Sequence, residues 1–389
     1  MKITGYRIQS YVMKMDRPIG DANSPMGEDL MPASILWIET DLGIKGIAPC
    51  AGDVGSLFDI IEGQDPREVV GLWRRMVDAT HKGGLGLVSE AVSAIDIALW
   101  DLKAKIAEEP LWRMWGAREG RAKAYASCIG YCLTEDELFD FYRRMAERGV
   151  DGGKLKVGLD LKADLRRIEI MREALSVACE RPKLMLDVNE YWSPKQAIRL
   201  LGVIERDFDI MWIEEPARRW DSEGLRFVSS NVKAAVATGE NLKTIGEVSP
   251  LIREEAVDIL NISAMQSGFT GCRQIANFAH AYELPVSMMN CQANFMAHLA
   301  AVLPNHLAME VVDPGREHCL QHSSIVDEGF ILLNEDPGLG LSIDDGILNT
   351  LISNPPERES NFPFPRREGA GLYVKGLAPG EVVWNEPKP

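Results

Sequence analysis

After about residue 122, short apolar runs alternate with amphipathic helical patterns eight times over, and nothing else in the chain limits its fold so tightly. The runs are AKAYASC, GKLKVG, KLMLDVN, IMWIEEP, AAVATGE, VDILNIS, LPVSMMN and LAMEVVD. Between them lie patterns such as TEDELFDFYRRMAERG, DLRRIEIMREALSVA and GCRQIANFAHAYE. Strands alternating with helices make a parallel sheet, and eight such units close a barrel. The competing open, doubly wound sheet would carry a glycine-rich phosphate loop after its first strand, and AYASCIGYCLTEDE has none. The spacing predicts an α/β TIM-like barrel.

The chain of 389 residues is longer than one hydrophobic core usually grows. Its first third reads as a smaller α+β unit. MKITGYRIQSYVMKM and ILWIETDLGIKGIAPC carry strand patterns, and SEAVSAIDIALWDLKAKIAEEPLWRMW places Val92, Ile95, Leu99 and Leu102 at helical spacing. We therefore expect a capping domain over 1–120 and a barrel over 121–325. A tail over 326–389 is expected to return to the cap, with a strand pair around GFILLNEDPGLGLSID. Residues 16–33, DRPIGDANSPMGEDLMPA, read as a polar loop between two strands.

A net charge of −16 without a long basic run argues against nucleic acid or an anionic membrane as partner. No apolar run approaches the ~18 residues of a spanning helix, and the N-terminal stretch alternates like a strand instead of resembling a signal peptide. Seven scattered cysteines lack zinc-type spacing, so reduced thiols and a cytoplasmic location are expected.

Catalytic groups of a parallel barrel sit at the C-terminal ends of its strands. The second strand ends in Lys154 and Lys156, the third in Asp187 and Asn189, the fourth in Glu214 and Glu215, and the fifth in Glu240. Three successive strands thus bring a carboxylate to one mouth, about one strand–helix unit apart. Such acids repel one another unless a hard cation lies between them, and an oxygen-only ligand set suits Mg²⁺.

The motifs AIDIALWDLKAK, KLKVG, LDVN, WIEEP, TGEN and DPGLGLSID make the chain resemble the enolase superfamily, in its mandelate racemase and muconate lactonizing enzyme branch. The resemblance implies a modified (β/α)7β barrel under an α+β cap, with residues 16–33 standing where relatives carry a lid over the substrate. It implies Mg²⁺ held by Asp187, Glu214 and Glu240 with Glu215 beside them, and a small carboxylate substrate. A homo-oligomer is expected. Lys154 would neutralise the substrate carboxylate, and Lys156 would remove the proton α to it. That role needs a lowered lysine pKa, to which a second ammonium, the cation and desolvation would all contribute. Glu310 would donate a hydrogen bond from a protonated carboxyl.

Where racemases of this branch carry an Asp and a His, and lactonizing enzymes a Lys, this chain has Ser263 and Asn290. Neither is a base at neutral pH, although both can hydrogen-bond a hydroxyl. One base serves one face of the planar intermediate, which suits syn β-elimination of water from a sugar acid. A racemase, epimerase or cycloisomerase with another second base, or a non-catalytic metal-binding relative, are the alternatives. His81 and Lys82 in DATHKGGLG are candidates to hold or protonate a leaving group. Arg218 and Arg219 read as a solvated pair or as contacts for a distal carboxylate. His318 and His322 are weaker candidates, and His298 reads as structural.

Overall fold

The computed structural model describes residues 1–80 and 87–372. Strands β1 (Ile3–Ile19), β2 (Glu28–Thr40) and β3 (Lys45–Pro49) form an antiparallel N-terminal sheet. Then β4 (Arg121–Ser127), β5 (Gly152–Lys156), β6 (Lys183–Asp187), β7 (Ile210–Glu214), β8 (Ala235–Thr238), β9 (Ile259–Ile262), β10 (Val286–Met288) and β11 (His306–Val311) pair in parallel, in that order. The parallel pairing of β11 with β4 closes the barrel. These eight strands are the eight apolar runs read from the sequence.

A helix follows each of the first seven barrel strands, though the one after β10, Ala297–Ala300, is a single turn. Side-chain caps fix where several of them begin. Thr134 and Thr244 form capping boxes with Glu137 and Glu247, and Asp160, Ser193 and Asp221 each accept from a backbone N–H of the first turn. The caps hold the loops at the strand ends, where the candidate residues lie.

The pleat sorts the strands into two layers. Leu155, Leu186 and Ile213 face the helices, whereas Tyr125, Met185, Trp212, Ala237, Ile259 and Ala308 fill the barrel interior. Trp212 stands edge-on to Tyr125, with ring centroids 5.2 Å apart. Truncating it to Ala would remove about 3–5 kcal/mol of stability.

The capping region is joined to the barrel by the helix Leu87–Ile106. Asp96 is wholly buried and accepts from the backbone N–H of Thr270 at 2.9 Å and from its hydroxyl, while Trp100 Nε1 donates to the same hydroxyl at 3.0 Å. Asp101 ties three segments together: its carboxylate accepts from the N–H groups of Ile47 and Leu339, each at 2.8 Å, and pairs with Lys105.

The polar loop expected over residues 16–33 is shorter. β1 and β2 run into it, with Ile19 opposite Glu28, and leave a turn at residues 20–27. Its polar residues did not reveal that both strands continue, because a paired edge tolerates polar side chains. The turn docks on the barrel: Gly20 N–H donates to Ile129 O, and Asn23 Nδ2 donates to Asn189 O at 3.0 Å. Gly20 is required there, since a Cβ would lie 2.6 Å from Ser24 O and 2.8 Å from Gly27 Cα.

Beyond β11 come β12 (Leu320–Gln321), β13 (Ile325–Asp327), β14 (Phe330–Leu332) and β15 (Ser342–Ile343). The β13–β14 hairpin adds antiparallel to the start of β4. The helix Asp345–Ser353 buries Leu348 against Tyr11, Met13 and Trp37 of the N-terminal sheet. All seven cysteines are free thiols. Among the described residues no helix is long and apolar enough to cross a membrane.

Candidate active site at the barrel mouth

Strand register places the charged residues. Lys156 pairs with Asp187 and Asp187 with Glu214 across β5, β6 and β7. Register neighbours on parallel strands project to the same face, here the barrel interior. Lys154 lies one pleat below Lys156, over the apolar floor of Met185 and Trp212. Past the strand ends the chain turns through left-handed conformations at Asn189 (φ 44°), Glu190 (φ 59°) and Glu215 (φ 47°). Such backbone is unfavourable for these residues, and it clusters at functional sites. Glu240 follows Gly239, whose φ is 126° and where a Cβ would lie 2.6 Å from Asn261 O.

The two lysines reach the acids directly. Lys154 Nζ lies 2.6 Å from Glu214 Oε1, 2.9 Å from Glu310 Oε1 and 3.3 Å from Asp187 Oδ2. Lys156 Nζ lies 2.6 Å from Asp187 Oδ2 and donates to Asn189 Oδ1 at 2.8 Å. Lys154, Lys156, Asp187, Glu214, Glu215 and Glu310 are all buried, whereas Glu240 is partly exposed.

The side chains by themselves shift Lys156 and Glu310 in the direction opposite to that expected of a metal-bound site. Burial alone would lower Lys156, but the Asp187 carboxylate outweighs it and holds the ammonium above its ordinary range. Glu310 was expected as a protonated donor. Burial favours that form, yet Lys154 and Lys156 override it and keep Glu310 below its usual range. It accepts from the backbone N–H of Asn290 at 3.2 Å and from the Asn290 amide.

The acids divide among themselves. Burial would raise Asp187, but Lys156 and Lys154 bring it down to about 2. Burial pushes Glu214 and Glu215 well up, with Asp187 and Glu240 adding repulsion. Glu240 is raised by burial and by repulsion from Asp187 and Glu310. Five carboxylates face two ammonium groups, so the cluster is short of positive charge. As the side chains stand, no three His, Cys, Asp or Glu groups among the described residues converge on a common ion site. The ammonium groups lie between the acids instead. The donor chemistry fits a hard divalent cation all the same: largely buried, oxygen-only, and drawn from three successive strands.

The ends of β9 and β10 present neutral side chains, with the charged Glu310 and Arg316 flanking Asn290. Ser263 precedes the helix Ala264–His280, is 7% exposed, and makes no side-chain capping bond. Asn261, one pleat below, is completely buried with neither end of its amide hydrogen-bonded among the described residues. Asn290 sits between Glu310 and Arg316, whose Nη2 donates to Asn290 Oδ1 at 2.8 Å. Arg316 and Asn261 escaped sequence reading. Arg316 lies in the irregular loop DPGREHC, and only the period-two inward position on VDILNIS marks Asn261.

His81 and Lys82 lie outside the described residues. Arg218 Nη1 and Arg219 Nε both pair with Glu190, at 3.0 and 2.7 Å. His318 hydrogen-bonds Lys14 O of β1 and His322 the nearby Ser324 Oγ, and His298 is buried with Nδ1 accepting from Trp112 N–H at 3.2 Å.

Residues 12–116 match the mandelate racemase/muconate lactonizing enzyme N-terminal domain, and residues 137–347 match the enolase C-terminal domain-like family. The chain is 30% identical over 293 residues to 3,6-anhydro-alpha-L-galactonate cycloisomerase of Streptomyces coelicolor, covering 72% of this chain and 78% of that one. It is 34% identical over 229 residues to L-talarate/galactarate dehydratase of Salmonella typhimurium, covering 58% and 56%. A racemase from Streptomyces coelicolor solved with bound magnesium superposes with TM-score 0.82 at 26% identity, over 90% of this chain and 99% of the other.

Proposed function

The chain belongs to the mandelate racemase/muconate lactonizing enzyme branch of the enolase superfamily, and on that premise we propose that it is a Mg²⁺-dependent dehydratase of a sugar acid or related hydroxy acid. One observation carries this reading: the ammonium groups lie on one side of the mouth, and Ser263 and Asn290 opposite them cannot take a proton at neutral pH. Asp187, Glu214 and Glu240 would hold the ion. Mg²⁺ bound there would supply charge that acidifies the proton α to a bound carboxylate and favours the neutral form of Lys156. Lys154 faces the developing negative charge. Lys156 removes the α-proton from one face, and its conjugate acid returns a proton to the departing β-hydroxyl on that same face. The docked turn over residues 20–27 limits water at the mouth.

Incubating a library of mono- and diacid sugars with Mg²⁺ in deuterated water tests this, with NMR following the products. A 2-keto acid is expected from one α-configuration only. Recovery of the inverted epimer, deuterated at the α-carbon and without keto acid, would replace the dehydratase reading with an epimerase. Kinship with the cycloisomerase and the racemase is what favours that second reading.

A further inference from the structure

Arg316, in the loop between β11 and β12, is only 7% exposed, and its Nε has no hydrogen-bond partner among the described residues. Its neighbour Glu317 is engaged by backbone, accepting from the N–H groups of Arg316 at 3.0 Å and Ala293 at 3.3 Å. The guanidinium turns instead toward a neutral side chain, donating to Asn290 Oδ1 at 2.8 Å.

An amide has one accepting and one donating end, so this contact dictates the other. With Oδ1 held by Arg316, Nδ2 must face Glu310 Oε2, where it donates. Glu310 Oε1 in turn lies 2.9 Å from Lys154 Nζ. A continuous chain therefore runs Arg316–Asn290–Glu310–Lys154. If the amide were reversed, its oxygen would oppose a buried carboxylate.

We propose that Arg316 is a positioning residue that fixes the Asn290 amide and, through it, seats Glu310 against Lys154. This rests on the reading of Lys154 and Glu310 as parts of the active site. Arg316 also borders a cavity of about 430 Å³, with Arg148, Asp313, His322 and Ser324 in its wall. The cavity gives a small cation access to the space that a truncated Arg316 would vacate.

Two measurements test the role. The first is α-proton exchange on a sugar acid that the enzyme turns over. Arg316→Ala should slow exchange about 10- to 100-fold, the size of a lost charge-assisted hydrogen bond. Added guanidinium should restore part of it, and Arg316→Lys should retain more than Ala. Combining Arg316→Ala with Asn290→Ala should be no slower than Asn290→Ala alone. Multiplying effects, or no response to guanidinium, would overturn the role. Exchange is indifferent to the product, so finding an epimerase instead of a dehydratase leaves this test standing. The second measurement needs no turnover: in crystals of Arg316→Lys and Arg316→Ala, the Asn290 amide should keep its contact with Glu310 in the first and lose it in the second. An Asn290 unmoved in the Ala variant would reject the proposal.

Discussion

From β5 to β8 the barrel mouth presents Lys154, Lys156, Asp187, Glu214, Glu215 and Glu240, whereas from β9 to β10 it presents Asn261, Ser263 and Asn290. Both arcs share the same strand–loop–helix construction. They differ in what burial demands of them. In the charged arc Lys154, Lys156, Asp187 and Glu214 are buried as ion pairs, because an unpaired buried charge is far more costly than a pair. The neutral arc can leave an amide unpartnered, as Asn261 is among the described residues, at a smaller penalty. The proposed one-sided proton transfer rests on this contrast.

The sharpest way to break the contrast is to remove its base. Lys156→Ala should lower α-proton exchange about 10²- to 10⁴-fold, the usual contribution of a general base. Normal exchange in that variant, measured by NMR in deuterated water, would place the base elsewhere.

Asp187→Ala probes stability instead. It strips both lysines of a shared partner, so chelator-treated protein should lose about 3–5 kcal/mol in urea unfolding. A loss within the error of the extrapolation would mean that the cluster is better hydrated than its burial indicates.

On the neutral side, His298 follows β10 and has its pKa lowered to about 4 by burial. Its folded value lies below its unfolded value of about 6.5, so the unfolded chain binds the extra proton. The stability it contributes is complete above about pH 6.5 and is lost as pH falls toward 4, by about 3 kcal/mol at most. His298→Gln should flatten that acid limb in melts followed by circular dichroism. An unchanged pH profile would reject the assignment.

The smallest effect is expected at Ser263. Its hydroxyl makes no capping bond, so Ser263→Ala should change turnover by a hydrogen bond's worth, about 0.5–1.5 kcal/mol, without abolishing exchange. A complete loss of exchange would make Ser263 part of the proton path and the two arcs alike.

Much of this layout was legible beforehand because it follows periodicity. The runs KLKVG, LDVN and WIEEP placed Lys154, Lys156, Asp187 and Glu214 at strand ends, and the barrel indeed puts them side by side. Local patterns failed where partners come from afar. The polar turn after β1 looked like a long loop, since nothing in DRPIGDANSPMGEDLMPA announces that Ile19 pairs with Glu28. The direct pairing of Lys156 with Asp187 was equally hidden, because it depends on side-chain geometry across two strands.

The order of elements, the closed parallel barrel and the identity of the charged residues at its mouth were determined by sequence alone. Each rests on a repeat of two or three to four residues, or on the rule that strand ends share one face. Which charge meets which was decided only by the tertiary structure. Arg316, Asn290, Glu310 and Lys154 come from four separate segments, and Coulomb and hydrogen-bond energies depend on distances that no sequence spacing encodes. Protonation state is settled at that level, by neighbours that only folding brings within about 3 Å.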